Sequence, residues 1–140
     1  MPNYNAASLI AKIRDAFNKM IVTELEKRGV EGIVPSHGDI LMFLYRDDGL
    51  SIKKLAEKIH RTQPTVTVLV DKLEKLGYVK RVKSSEDSRV TLIQLTGKGH
   101  ELEPYFRDIS AQLNEIIYGS LTEQQKEQLE NMLQQIYSRF

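Results

Sequence analysis

A chain of 140 residues, 41% of them hydrophobic and 28% charged, has the size and composition of one compact globular domain. It contains no cysteine, which excludes a disulfide framework, a thiolate zinc site and a cysteine redox switch. The net charge is only +1, but residues 51–98 hold 11 Lys/Arg and 5 Asp/Glu, a local net charge of +6 that favours a polyanionic partner over an ordinary solvated surface.

The N-terminal third predicts two helices. Apolar residues recur at three- and four-residue steps from Leu9 to Leu25, which is the spacing of an amphipathic helix. Two glycines then break the pattern, and Ser36 is the expected N-cap of a short apolar helix over residues 39–46. The first residues lack the apolar core of a signal peptide, and no run is long enough to span a membrane. We therefore expect a cytoplasmic protein with no membrane partner.

The centre of the chain predicts two helices separated by a tight break. Ser51 is the expected N-cap of a helix over residues 52–60, and Thr62 is the expected N-cap of a helix over residues 63–77. Pro64 falls in the first turn of the second helix, where its missing N–H does little harm. The side chains that this helix should bury are Val66, Leu69, Val70, Leu73 and Leu76.

The last part of the chain predicts a β-hairpin followed by two helices. The segments YVKRV and RVTLIQL alternate as strands do, with KSSEDS as the connecting loop. Thr96 is expected to cap one long helix, which Gly119 interrupts. Thr122 and Gln125 then form a capping-box pattern at the start of the last helix.

This order predicts a mostly α fold with a small β-hairpin wing (α+β), the winged helix-turn-helix. Its second helix can enter a major groove of double-stranded DNA while the hairpin reaches the adjacent minor groove or backbone. Gln63, Thr65 and Val68 should face outward, together with Lys72, and these side-chain types can contact base edges. The cations expected at phosphates are Lys53, Lys54, Lys58, Arg61, Lys72, Lys75, Lys80, Arg81, Lys83 and Arg89.

The flanking helices carry broad apolar stripes that the small central lobe cannot cover. We expect residues 1–34 and 100–140 to form a homodimer around a DNA-binding lobe at residues 35–99, all within a single domain at 1–140. A twofold dimer would present two reading helices about 34 Å apart, which suits a palindromic operator. The alternative is a bundle within one chain.

Three motifs, in order and at the expected spacing, resemble the MarR family of transcription regulators. They are LAEKIHRTQPTVTVLVDKLEKLGYVKR, DSRVTLIQLTGKG and the closing LTEQQKEQLENMLQQI. The resemblance implies that Arg89 enters the minor groove and that Asp87 orients it. One departure is Val68, a position that is often Arg in the family, so the operator sequence cannot be transferred.

The expected DNA contacts combine both arguments. They are Ser51, Arg61, Thr62, Gln63, Thr65, Thr67, Val68, Lys72, Lys83, Ser85, Asp87 and Arg89.

The resemblance further implies a repressor that a small aromatic or phenolic ligand releases from DNA. The expected pocket lining is Arg14, Phe17, His37, Tyr45 and Tyr105, although each residue can equally be core or cap packing. No metal or other cofactor is expected, because the three histidines are far apart in the sequence and form no paired motif.

The sequence bears on two other classes of function. An enzyme is disfavoured because the sequence has no Gly-rich phosphate loop, nucleophile motif or paired histidine ligands. A winged-helix protein-interaction module without specific DNA binding is the main alternative, since the fold alone does not prove DNA binding. Such a module has no need of Arg89 or of the local charge of +6.

Overall fold

The computed structural model describes residues 3–140, in two compact units that meet in sequence between Arg107 and Asp108. The elements in chain order are α1 (Ala6–Lys27), α2 (Pro35–Arg46), β1 (Leu50–Ser51), α3 (Ile52–Ile59), α4 (Gln63–Lys75), β2 (Val79–Lys83), β3 (Thr91–Leu95), α5 (Gly97–Glu101), α6 (Glu103–Tyr118) and α7 (Glu123–Tyr137). This is the predicted mostly helical winged helix-turn-helix. Across residues 3–140, no helix has both the length and the apolar character needed to cross a membrane.

The core of the first unit lies where α2, α3 and α4 pack together and against the strands. Its fully buried side chains include Ile40, Leu41, Leu44, Leu55, Val66, Val70, Leu73 and Ile93. Burial of a side chain of this size contributes about 1.5–3 kcal/mol, so this cluster holds the three helices in place. Leu69 and Leu76, which were expected to be buried, are only half-buried at the edge of the core.

Most predicted helix caps are confirmed. Ser51 Oγ accepts from the Lys54 N–H at 3.1 Å, and Thr62 Oγ1 accepts from the Thr65 N–H at 3.3 Å. Between these caps, His60 adopts a left-handed conformation (φ 56°) that ends α3 and produces the tight break before α4. The local chemistry of the turn therefore fixes where the second helix begins.

Two predicted helix starts differ from the structure, one in part and one entirely. Thr96 caps only the short α5, because the chain breaks at Leu102 before α6 begins. Pro104 accounts for this break, since it has no N–H to donate to the preceding turn. The predicted N-cap at Ser36 is wrong: α2 begins at Pro35, and the Val34 N–H donates to His37 Nδ1 at 3.0 Å.

The sheet has three antiparallel strands in the order β1-β3-β2. β2 and β3 form the predicted hairpin, with Val79 opposite Leu95 and Lys83 opposite Thr91. The two-residue β1 was not predicted, and it pairs Leu50 with Ile93. Next to it, Asp48 Oδ1 accepts from the Leu95 N–H at 2.9 Å, which ties the turn before α3 to the wing.

The free energy of unfolding should decrease as the pH falls below about 6.5, because His37 is held neutral in the folded chain. Burial, and then the positive charge of Lys72, lower the pKa of His37 below its ordinary value. Its Nδ1 can accept from Val34 only when unprotonated. The unfolded chain thus takes up the proton first. The stabilisation present above the unfolded pKa is lost as the pH falls through the folded pKa.

Chemical denaturation between about pH 5 and pH 8 measures this dependence. The variant His37→Gln keeps an acceptor for the Val34 N–H but does not titrate, so its profile should be flatter in this range. His100→Gln, at an exposed position, is the matched control for the loss of one histidine side chain. A profile for His37→Gln that parallels the wild type would contradict the assignment.

Candidate nucleic-acid interface

The outer face of α4 presents the side chains that were predicted to read DNA. Gln63, Thr65 and Val68 are exposed, and Val68 keeps 68% of its accessible surface although it is apolar. Val66, Val70 and Leu73 point to the other side and anchor the helix in the core. The amphipathic spacing of α4 therefore leaves a short strip of amide, hydroxyl and methyl groups open to a ligand.

The threonines near this face have different roles. Thr62 caps α4, and its hydroxyl also donates to Thr65 Oγ1 at 3.0 Å. Thr67 is half-buried, and its hydroxyl donates to the Gln63 carbonyl at 3.0 Å. Among these three, Thr65 therefore combines exposure with a position on the outer face of the helix. The hydroxyl of Ser51, expected at DNA, likewise accepts from the backbone as a cap.

Lys72 extends toward the loop between α1 and α2. Its Cε and Nζ lie 3.5 Å from the position that a Cβ on Gly32 would occupy. Gly32 has a positive φ of 80°, a backbone conformation that favours glycine, and a Cβ there would be in ordinary van der Waals contact with Lys72. The Lys72 ammonium group also lies near enough to His37 for its positive charge to lower the pKa of the imidazole.

The tip of the wing holds Asp87 and Arg89 in a two-point ion pair. Arg89 Nε donates to Asp87 Oδ1 and Arg89 Nη2 donates to Asp87 Oδ2, each at 3.0 Å. The Arg89 N–H also donates to Asp87 Oδ1 at 3.0 Å. These hydrogen bonds lower the pKa of Asp87, while the Arg89 side chain remains 88% exposed. The guanidinium is therefore oriented and still open to a ligand.

Ser84 organises this tip, and sequence reasoning missed its role. Its Oγ accepts from the Glu86 N–H at 3.2 Å and from the Asp87 N–H at 3.4 Å. Its backbone N–H donates to the Val90 carbonyl at 2.9 Å and closes the turn. A serine at the first position of a turn is the signal that could have identified it. Ser85 and Lys83, both predicted contacts, are exposed beside it.

Several cations of residues 51–98 interact with other groups of the protein. Lys98 Nζ donates to the Leu76 carbonyl at 2.8 Å and caps α4, and Lys58 lies 5.6 Å from the centre of the Phe43 ring. By contrast, Lys53, Lys54 and Arg61 are exposed around the helix-turn-helix break. Arg61 also lines a cavity.

A cavity of about 390 Å³ opens between α1, the start of α2 and Arg61. Of the five predicted lining residues, Arg14 and Phe17 line it. Asp39 is also part of the wall. Burial raises the pKa of its carboxyl, while Arg61 and Arg14 act in the opposite direction. The cavity therefore combines an aromatic ring with two cations and one acid.

The other three predicted lining residues lie elsewhere. His37 caps α2, as described above. The Tyr45 hydroxyl donates to the Gly99 carbonyl at 2.7 Å, and burial raises its pKa. Tyr105 is half-buried. Within residues 3–140, no three His, Asp or Glu side chains lie close enough together to hold a metal ion.

Comparison with known proteins gives a consistent result. The MarR family model matches residues 33–91. The HTH-type transcriptional regulator SarZ of Staphylococcus haemolyticus is 32% identical over 99 residues, which are 71% of this chain and 66% of that protein. A second SarZ, from Staphylococcus epidermidis, is 39% identical over 51% of this chain and 48% of its own length. The chain thus spans between about half and just under two thirds of these curated relatives.

A solved structure covers the chain more completely. The S. aureus MepR–DNA complex superimposes with a TM-score of 0.89 and 26% identity, over 99% of this chain and 100% of that one. A MarR transcriptional regulator from Methanosarcina mazei Go1 superimposes with a TM-score of 0.81 and 27% identity, over 96% and 94% of the two chains. The fold shared with these two structures therefore agrees with the family that the sequence motifs indicate. The chain belongs to the MarR family of winged helix-turn-helix proteins.

Proposed function

We propose that this protein is a sequence-specific double-stranded DNA-binding transcriptional regulator. The observation that carries the proposal is the wing tip, where Asp87 holds an exposed Arg89 in a fixed orientation. An arginine is attracted to the enhanced negative potential of a narrow minor groove. Because its rotamers are already restricted, less conformational entropy is lost on insertion. The exposed strip on α4 supplies the complementary major-groove contacts.

We propose that two copies of the chain act together. In the first unit, α1 exposes Leu9, Ile10 and Ile13, with 53%, 45% and 54% of their surfaces accessible. In the second unit, α7 exposes an apolar row that includes Leu133 and Ile136. Contiguous exposed apolar residues are typical of a protein interface. A twofold homodimer would cover them and read a palindromic operator, and its DNA partner implies a cytoplasmic location.

We further propose repression that a small aromatic ligand relieves. The cavity beside α1 supports this, because Phe17 offers a ring and Arg14 and Arg61 offer cations to an anionic or phenolic group. Arg61 immediately precedes the N-cap of α4, so a ligand bound in the cavity would lie beside the start of that helix. Thermal stabilisation of the protein by salicylate, lost in Arg14→Met, would test this part separately.

The decisive experiment is a fluorescence titration of the purified protein into two duplexes at several salt concentrations. One duplex carries the region upstream of its own gene, and the other carries the same bases in scrambled order. We expect tight binding to the first, with log Kobs falling by about 0.9 per phosphate neutralised as log salt rises. Equal and weak binding to both duplexes, and to upstream regions of neighbouring genes, would favour a protein-interaction module instead.

A further inference from the structure

Arg81 connects the wing to the reading helix. It lies in β2, opposite Ile93 of β3, and its guanidinium reaches back to α4. There it forms an ion pair with Asp71, while its Nε lies 3.4 Å from Glu74 Oε1. Asp71 and Glu74 are three residues apart, so they stand on the same face of the helix. The Arg81 side chain therefore joins β2, the strand that leads to the wing tip, to two acidic residues on one face of α4.

The connection between α4 and β2 determines which contacts hold the wing in place. The chain leaves α4 through Leu76 and Gly77, and Gly77 has a positive φ of 83°. The Tyr78 N–H donates to the Leu73 carbonyl at 2.9 Å, which fixes the base of the hairpin. The Arg81 ion pairs link the hairpin to the polar side of α4, in addition to the pairing of β3 with β1 and the Asp48–Leu95 hydrogen bond that hold its other strand. The ion pairs of Arg81 are therefore the contacts that join the β2 side of the wing to the polar face of α4.

We propose that Arg81 is a positioning residue: with Asp71 and Glu74 it sets the angle between wing and reading helix, so that Arg89 reaches the minor groove while α4 lies in the major groove. This inference rests on the proposed DNA binding. Its role is not chiefly one of stability, because exposed ion pairs contribute little to folding. It also differs from the expected phosphate contact, since both carboxylates already neutralise the Arg81 guanidinium.

A positioning role and a simple charge effect predict opposite changes in DNA affinity for the variant Asp71→Asn. If only charge matters, removing an acid beside DNA strengthens binding to every duplex. If the bridge positions the wing, the same change weakens binding to the specific duplex. We expect about a tenfold loss there, similar to the loss of one arginine contact, with little change on scrambled DNA. Glu57→Gln is the matched control, because Glu57 is exposed in the same lobe and forms no ion pair within residues 3–140.

Arg81→Met gives a second test through the salt dependence. Loss of a phosphate contact would make the slope of log Kobs against log salt shallower by about 0.9 per site. A positioning residue should weaken specific binding but leave the slope of non-specific binding unchanged. In an Arg89→Ala background, Asp71→Asn should no longer weaken binding, because the wing has lost the group that the bridge positions. Chemical denaturation should show all variants folded.

The outcomes separate the two proposals. Failure of the wild type to discriminate between the specific and scrambled duplexes would overturn the proposed function and this inference with it. A discriminating wild type whose affinity rises in Asp71→Asn as it does in Glu57→Gln would leave the function intact and overturn the positioning role. Full additivity of Asp71→Asn with Arg89→Ala would also overturn it.

Discussion

Replacing Arg89 with alanine should lower affinity for the specific duplex about a hundredfold, because each arginine–DNA contact is worth about 1–3 kcal/mol and a dimer has two. Folding should not change, since the side chain is 88% exposed and its hydrogen-bonding partner, Asp87, is a residue of the same turn. Titration of the specific and scrambled duplexes, with circular dichroism to confirm the fold, measures both effects. The loss should be concentrated on the specific duplex.

Two further variants distinguish orientation from charge at the wing tip. Arg89→Lys keeps the positive charge but cannot form the two-point pair with Asp87, so most of the affinity should still be lost. Lys83→Met removes a neighbouring exposed cation and should weaken binding to both duplexes by similar factors, with a shallower salt slope. Arg89→Ala with wild-type affinity for the specific duplex would refute the assignment of Arg89 as a minor-groove contact.

The parts of the fold that local chemistry determines could be predicted from the sequence. Ser51 and Thr62 cap their helices because a hydroxyl beside free N–H groups needs no distant partner. The Asp87–Arg89 pair was identifiable for the same reason, since its members are two residues apart in one turn. The interacting residues in these cases are only two or three positions apart, so the local sequence is enough to predict them.

Contacts between distant residues could not be predicted in the same way. Strand β1 has two residues and exists only because β3 lies beside it, about 40 residues later in the chain. The Arg81 bridge spans ten residues and depends on the angle between α4 and β2. Lys72 lies beside Gly32, which is distant from it in the sequence. In each case the residues are visible in the sequence, but the geometry that brings them together is not.

Placing a charge on the apolar row of α7 should separate the proposed dimer and thereby abolish tight DNA binding. Leu133 and Ile136 are three residues apart on the same face of α7, and 43% and 37% of their surfaces are accessible in the single chain. In Leu133→Glu, dimerisation would bury an unpaired carboxylate, which costs several kcal/mol and weakens association about a hundredfold or more. Sedimentation velocity over a range of protein concentrations measures the shift.

The DNA titration of the same variant links assembly to function. A monomer carries one reading helix and one Arg89, so its salt slope should be about half that of the dimer, and its specific affinity should fall by at least a hundredfold or so. Gln135→Glu adds the same charge to an exposed polar position of α7 and should leave both assembly and DNA binding intact. If Leu133→Glu remained dimeric with wild-type affinity, α7 could not form the interface. The apolar row on α1 would then be the surface to test, because Leu9, Ile10 and Ile13 are exposed to a comparable degree.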